Sequence, residues 1–124
     1  MKQQYFKLIL ALIFSINILF CTNFEKEFQT QLILVESGGV IQIPSGNFEI
    51  KGTLSIEGKT NITIEGIGMN NSILSFINQE DGAEGLRIIN CNNITLKNFT
   101  VQNTIGDGIK SQDTDGIYFY NVKI

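Results

Sequence analysis

From Gly38 onward the apolar and polar positions alternate in short runs, as in Ile62-Thr63-Ile64 and Ile94-Thr95-Leu96. That is the period of a strand with one buried face. The runs also recur at set distances. Moving Gly108–Ile124 back by 23 residues sets Gly108 on Gly85, Ile109 on Leu86, Lys110 on Arg87, Ile117 on Ile94, Phe119 on Leu96, Asn121 on Asn98, Val122 on Phe99 and Ile124 on Val101. A shift of 32 sets Leu54 on Leu86, Ile56 on Ile88, Ile62 on Ile94, Ile64 on Leu96 and Gly66 on Asn98. The added length falls in NNSILSFINQEDGAE, which predicts a short strand around Ile73 to Phe76 and then a polar loop. Ile41 and Ile43 stand about 21 residues before Ile62 and Ile64, which adds an earlier copy and makes four coils in all.

Strands this short cannot bury an inward face alone, so a repeat of this length predicts coils stacked in parallel, each covering the one beneath. Parallel strands lie about 4.8 Å apart, which makes residues one repeat apart direct neighbours. Gly66, Asn98 and Asn121 fall at one equivalent bend, and both residue types tolerate a left-handed backbone. Ahead of the coils, Thr22–Ser37 predicts a short helix. Phe24, Phe28, Leu32 and Val35 share one face, and Thr22 with Glu25 has the form of a capping box.

GGVIQIPSGNFEI (Gly38–Ile50) and NITIEGIGMNNSIL (Asn61–Leu74) resemble the opening coils of the right-handed parallel β-helix proteins of the pectate-lyase-like superfamily. The shared features are a glycine pair, a strand, Pro-x-Gly with an aromatic, and then a Thr-Ile-x-Gly-x-Gly segment. The resemblance covers about Thr30 to Ile124. It implies an all-β right-handed parallel β-helix whose open N-terminal end is covered by a helix. It also implies an acidic polysaccharide as partner, bound or modified as lyases and C5-epimerases do, both of which begin by removing a proton next to a carboxylate. The alternative is a non-catalytic β-helix surface protein, an adhesin or scaffold, because fold does not dictate chemistry. YFYNVKI stops within a coil by comparison with the preceding copy, and solenoids need a cap at each end. The expectation is therefore an N-terminal portion of a longer β-helix, with any catalytic residues beyond Ile124.

The first 21 residues read differently. Lys2 and Lys7 precede the apolar run Leu8–Phe20, the pattern of an export signal and too short to span a bilayer comfortably. Cys21 ends that run in ILFC, which resembles a bacterial lipobox, although Phe20 stands where a small residue is usual. The chain thus divides into a signal (1–21), a capping helix (22–37) and coils (38–124). It is expected to be exported, as a periplasmic, outer-membrane lipoprotein or secreted protein, with the membrane reached only through the signal or a lipid on Cys21. Cys91 is then either a small buried apolar residue or, if Cys21 is retained, its disulfide partner.

Charge narrows the chemistry. Nine Lys and Arg against twelve Asp and Glu give a net charge of −3, which leaves no basic footprint for nucleic acid. There is no histidine, so the histidine-containing acid/base sets of alginate-epimerase-like relatives cannot be carried onto any position. Glu84 and Asp107 are equivalent by the 23-residue shift, and Asp113 and Asp115 follow on the next turn. The four hold Ca²⁺ through hard oxygen ligands, serve as an acid/base pair against a sugar acid, or mark solvated turns. Arg87 and Lys110 form a basic ladder suited to a polyuronate, or keep a strand soluble. Tyr118 and Tyr120 face outward next to that row, where they stack on sugar rings or merely decorate a sheet. Of the four sequons, at Asn61, Asn70, Asn93 and Asn98, all but that at Asn70 are by-products of the Asn-apolar-Thr coil pattern, and all four read as structural.

Overall fold

The computed structural model describes residues 24–124; the expected signal, Cys21 and Thr22 lie outside them. Among the described residues one helix, α1 (Phe24–Leu34), precedes nine strands: β1 (Val40–Gln42), β2 (Gly46–Glu49), β3 (Gly52–Glu57), β4 (Thr60–Glu65), β5 (Ser72–Ser75), β6 (Asp81–Ile89), β7 (Asn92–Gln102), β8 (Ile109–Gln112) and β9 (Asp115–Lys123). Every strand pairing is parallel. The chain is a parallel β-solenoid with three faces. The first face stacks β1, β4, the start of β7 and the start of β9; the second stacks β2, β5 and the ends of β7 and β9; the third stacks β3, β6 and β8.

Three turns are complete, and β9 begins another on two faces only. The expectation of four coils is corrected to that extent. The register follows both shifts read from the sequence: Leu54 sits on Leu86 and Ile64 on Leu96, then Leu86 on Ile109 and Leu96 on Phe119. At the first coil the 21-residue offset is wrong. Val40 pairs with Thr63 and Ile41 with Ile64, an offset of 23. A slip of two keeps the same side chains inward, so alternation alone cannot detect it. Pro44 decides it, because the true register leaves Pro44 beyond the strand, where it owes no ladder hydrogen bond.

Between the third face and the first, the corner never changes length. Ser55 to Thr63, Arg87 to Thr95 and Lys110 to Tyr118 each span eight residues. Gly58, Asn90 and Asp113 open it with positive φ, and Asn61, Asn93 and Gly116 close it the same way. Asn93 Nδ2 donates to Asn61 Oδ1 at 2.6 Å, one coil below. The extra residues of the second coil lie at the other corners, on either side of β5. At the equivalent bend, Asn98 and Asn121 have positive φ, but Gly66 does not. Glycine is required there for space, since a Cβ would lie 2.2 Å from the Asn98 carbonyl oxygen and 2.7 Å from Ser72 Cβ.

Inward columns of Ile, Leu, Val and Phe form one core, with Ile64, Leu96, Leu86 and Ile88 fully buried. Each such side chain contributes about 1.5–3 kcal/mol when removed from water. Cys91 is buried within that core, its Sγ 3.2 Å from the Ile89 carbonyl oxygen, with no disulfide partner among the described residues; the alternative pairing with Cys21 lies outside them. The helix ends at Leu34, short of the expected Ser37, and the expected capping box of Glu25 with Thr22 lies partly outside the described residues. The Glu25 carboxylate accepts from the N–H groups of Lys51 and Gly52 at 2.9 and 2.8 Å. Phe28 and Leu32 of α1 are buried, and Phe24 stacks on Phe48 with ring centroids 3.9 Å apart. No helix among the described residues is long and apolar enough to cross a membrane.

Candidate functional site

The third face carries a column of outward polar side chains. Ser55, Arg87 and Lys110 are consecutive partners across β3, β6 and β8, and they alternate with inward Leu54, Leu86 and Ile109. The expected basic ladder is therefore a true column. Arg87 Nε donates to Ser55 Oγ at 3.3 Å; among the described residues this is the guanidinium's hydrogen bond, and its two Nη groups point to no partner. Lys110 Nζ lies 3.1 Å from Glu84 Oε1.

Glu84 is held by a small network that the sequence did not suggest. Thr53 Oγ1 and Gln79 Nε2 each donate to the Glu84 carbonyl oxygen at 2.8 Å, and Gln79 Oε1 accepts from the Ile105 N–H at 3.4 Å. Gln79 thus ties the loop after β5 to the loop after β7. Glu84's own backbone N–H, and then the Lys110 ammonium, hold its carboxyl below the ordinary range. Gln79 lies in an insertion without a repeat partner, so no pattern marked it. Ser55 could have been found, because the 32-residue shift already sets it beneath Arg87.

The four carboxylates considered for Ca²⁺ do not form one set. The Gly85 N–H donates to the Asp107 carbonyl oxygen at 2.9 Å, so the two acidic positions stack in backbone, but the Glu84 carboxylate turns to Lys110. Asp113 and Asp115 lie at the corner between β8 and β9, around an open concavity of about 550 Å³ shared with Asn90, Cys91, Asn92 and Thr114. Thr114 Oγ1 there is already engaged, accepting from the Cys91 N–H and lying 3.0 Å from the Gln112 carbonyl oxygen. Among the described residues no three of His, Cys, Asp and Glu gather closely enough to hold a metal ion.

Tyr118 and Tyr120 are exposed, but they do not stand beside Arg87 and Lys110. They stack on Thr95 and Lys97 of the first face, around the corner from the basic column. Alternation predicts whether a side chain points in or out, but not which of three faces it occupies. The first face has its own ion pair, Lys97 Nζ to Glu65 Oε1 at 3.4 Å. No family model, curated protein or solved structure matches the chain.

Proposed function

We propose that the chain is a right-handed β-helix of the pectate-lyase-like kind, exported through its Leu8–Phe20 leader, that binds an acidic polysaccharide along the third face. The observation that supports this reading is the Ser55–Arg87–Lys110 column. Strands about 4.8 Å apart set the two cations at a short, regular step along the solenoid axis. A polymer with one carboxylate on each sugar meets such a row repeatedly. Arg87 is the principal anchor, since its planar guanidinium takes a carboxylate in a two-pronged grip. Lys110 contributes less because Glu84 already neutralises it.

This is a binding role, and no residue on the face is assigned proton abstraction. Lyase or epimerase chemistry on the same polymer would need a base placed elsewhere. The adhesin or scaffold reading shares the binding step and differs only in turnover.

Retention of the exported chain in gels containing polygalacturonate or alginate, against neutral dextran, tests the proposal. Selective retardation by the acidic polymers is expected, weakening as salt rises, with Arg87→Ala reducing affinity about tenfold. Equal behaviour on acidic and neutral polymers, or an unaltered Arg87→Ala variant, would refute it. Appearance of unsaturated uronate during incubation would decide for a lyase.

A further inference from the structure

We propose that Glu84 is a built-in counter-carboxylate that fits the third face to an acidic polysaccharide whose charged sugar alternates with an uncharged one. The inference rests on the reading of that face as a polyanion site. Lys110 is not free to meet a ligand, because its Nζ lies 3.1 Å from Glu84 Oε1. Glu84 stands where a bound carboxylate would stand, and it is fixed there. Thr53 Oγ1 and Gln79 Nε2 hold its carbonyl oxygen, and its own backbone N–H holds the carboxyl. An acid anchored in this way stays beside the lysine without the ordering cost that an incoming ligand bears.

The column therefore offers three unlike steps. Ser55 presents a hydroxyl, Arg87 a guanidinium whose two Nη groups have no partner among the described residues, and Lys110 an ammonium already neutralised. Strands about 4.8 Å apart put these steps at roughly the length of one sugar. A uronate seated on Arg87 thus has an uncharged sugar over Ser55 and another over the Lys110–Glu84 pair. A chain with a carboxylate on every sugar instead brings a second anion against Glu84, which it must displace or be repelled by.

Glu57 provides an internal control. It is exposed on β3, two residues from Ser55 and so outward on the same face. Among the described residues no cation pairs with it. Removing its charge alters the potential of the face without releasing a lysine.

Affinity electrophoresis of the exported chain reads the outcome, in polygalacturonate and in an alternating polymer of glucuronate and N-acetylglucosamine. Circular dichroism confirms that each variant is folded. Wild type should bind the alternating polymer at least as tightly as polygalacturonate. Glu84→Gln should tighten binding to polygalacturonate about fivefold, and to the alternating polymer less than about twofold. Lys110→Ala should then cost more in the Glu84→Gln background than in the wild type. A wild type that prefers polygalacturonate, an equal gain on both polymers, a gain that survives loss of Lys110, or a matching gain from Glu57→Gln would overturn the proposal. If Arg87→Ala weakens binding while Glu84→Gln changes nothing, the third-face reading stands and this inference alone fails. If neither polymer retains the wild type, both fail.

Discussion

The two ends of the coil stack are built from the same pattern and meet opposite fates. At the start, α1 lies over the open coil and its side chains replace a missing strand. Gln29 donates from Nε2 to the Ser55 carbonyl oxygen and accepts from the Ser55 N–H, both at 2.9 Å, as a paired strand would. Glu25 does the same for the N–H groups of Lys51 and Gly52. Lys59 Nζ in turn donates to the Ile33 carbonyl oxygen, at 2.7 Å, near the end of the helix. At the other end, among the described residues, nothing lies over β9. In one inward column Ile64 and Leu96 are fully buried, whereas Phe119 is half exposed. An inward position is set by alternation along the strand, but burial comes only from the neighbour above it.

The sharpest way to break the comparison is to place the same charge at two steps of that column. Leu96→Asp buries an unpaired carboxylate between two coils and should cost at least about 4 kcal/mol, enough to abolish cooperative melting. Phe119→Asp can turn its carboxylate to water and should cost less than about 1 kcal/mol of coil stability. Thermal melts of both variants by circular dichroism check this. Equal losses would mean that Phe119 is covered as thoroughly as Leu96, and the open end would have to be abandoned.

A smaller effect is expected at the closed end. Gln29→Ala leaves the N–H and C=O of Ser55 without their partners, while Phe28 and Leu32 still hold the helix in place. Because water can reach part of this edge, the loss should be about 1–2 kcal/mol. Chemical denaturation measures it, and hydrogen exchange should show faster exchange at the Ser55 amide than in the wild type. An unaltered amide would mean that α1 covers the coil by apolar contact alone.

How far the fold was legible follows from what each pattern encodes. The period of two fixed the inward columns, and the 23- and 32-residue shifts fixed which residues stack, as Arg87 on Lys110 shows. Neither pattern distinguishes a slip of two residues, so Ile41 and Ile43 were set against the wrong partners. Neither assigns a strand to a face, so Tyr118 and Tyr120 were brought beside a column that lies around a corner from them. Gly66 was read as a left-handed bend because glycine serves two needs, conformational freedom and small size, and only the neighbouring Asn98 carbonyl shows which applies. Of the candidate site, the repeated residues Arg87 and Lys110 were legible. The supports of Glu84 were not, because Gln79 reaches it from an insertion that has no counterpart in the other coils.

The smallest expected effect lies at that support, on the third face midway between the two ends. Glu84 has a carboxyl held below its ordinary value of 4.5, by its own backbone N–H first and by the Lys110 side chain next. A group whose pKa falls on folding stabilises the folded chain above its unfolded pKa, and the contribution is lost as pH falls through the folded pKa. The stability difference between wild type and Glu84→Gln should therefore be positive and flat from neutral pH to about pH 5, then shrink as the medium is acidified below 4.5. Lys110→Ala should remove only part of it, because the backbone contribution stays. High salt should weaken the Lys110 part further, since the pair is open to solvent. Melting temperatures of the three chains across that range are the measurement. If Lys110→Ala and Glu84→Gln gave the same acid profile, the ion pair rather than the backbone N–H would be holding the carboxylate.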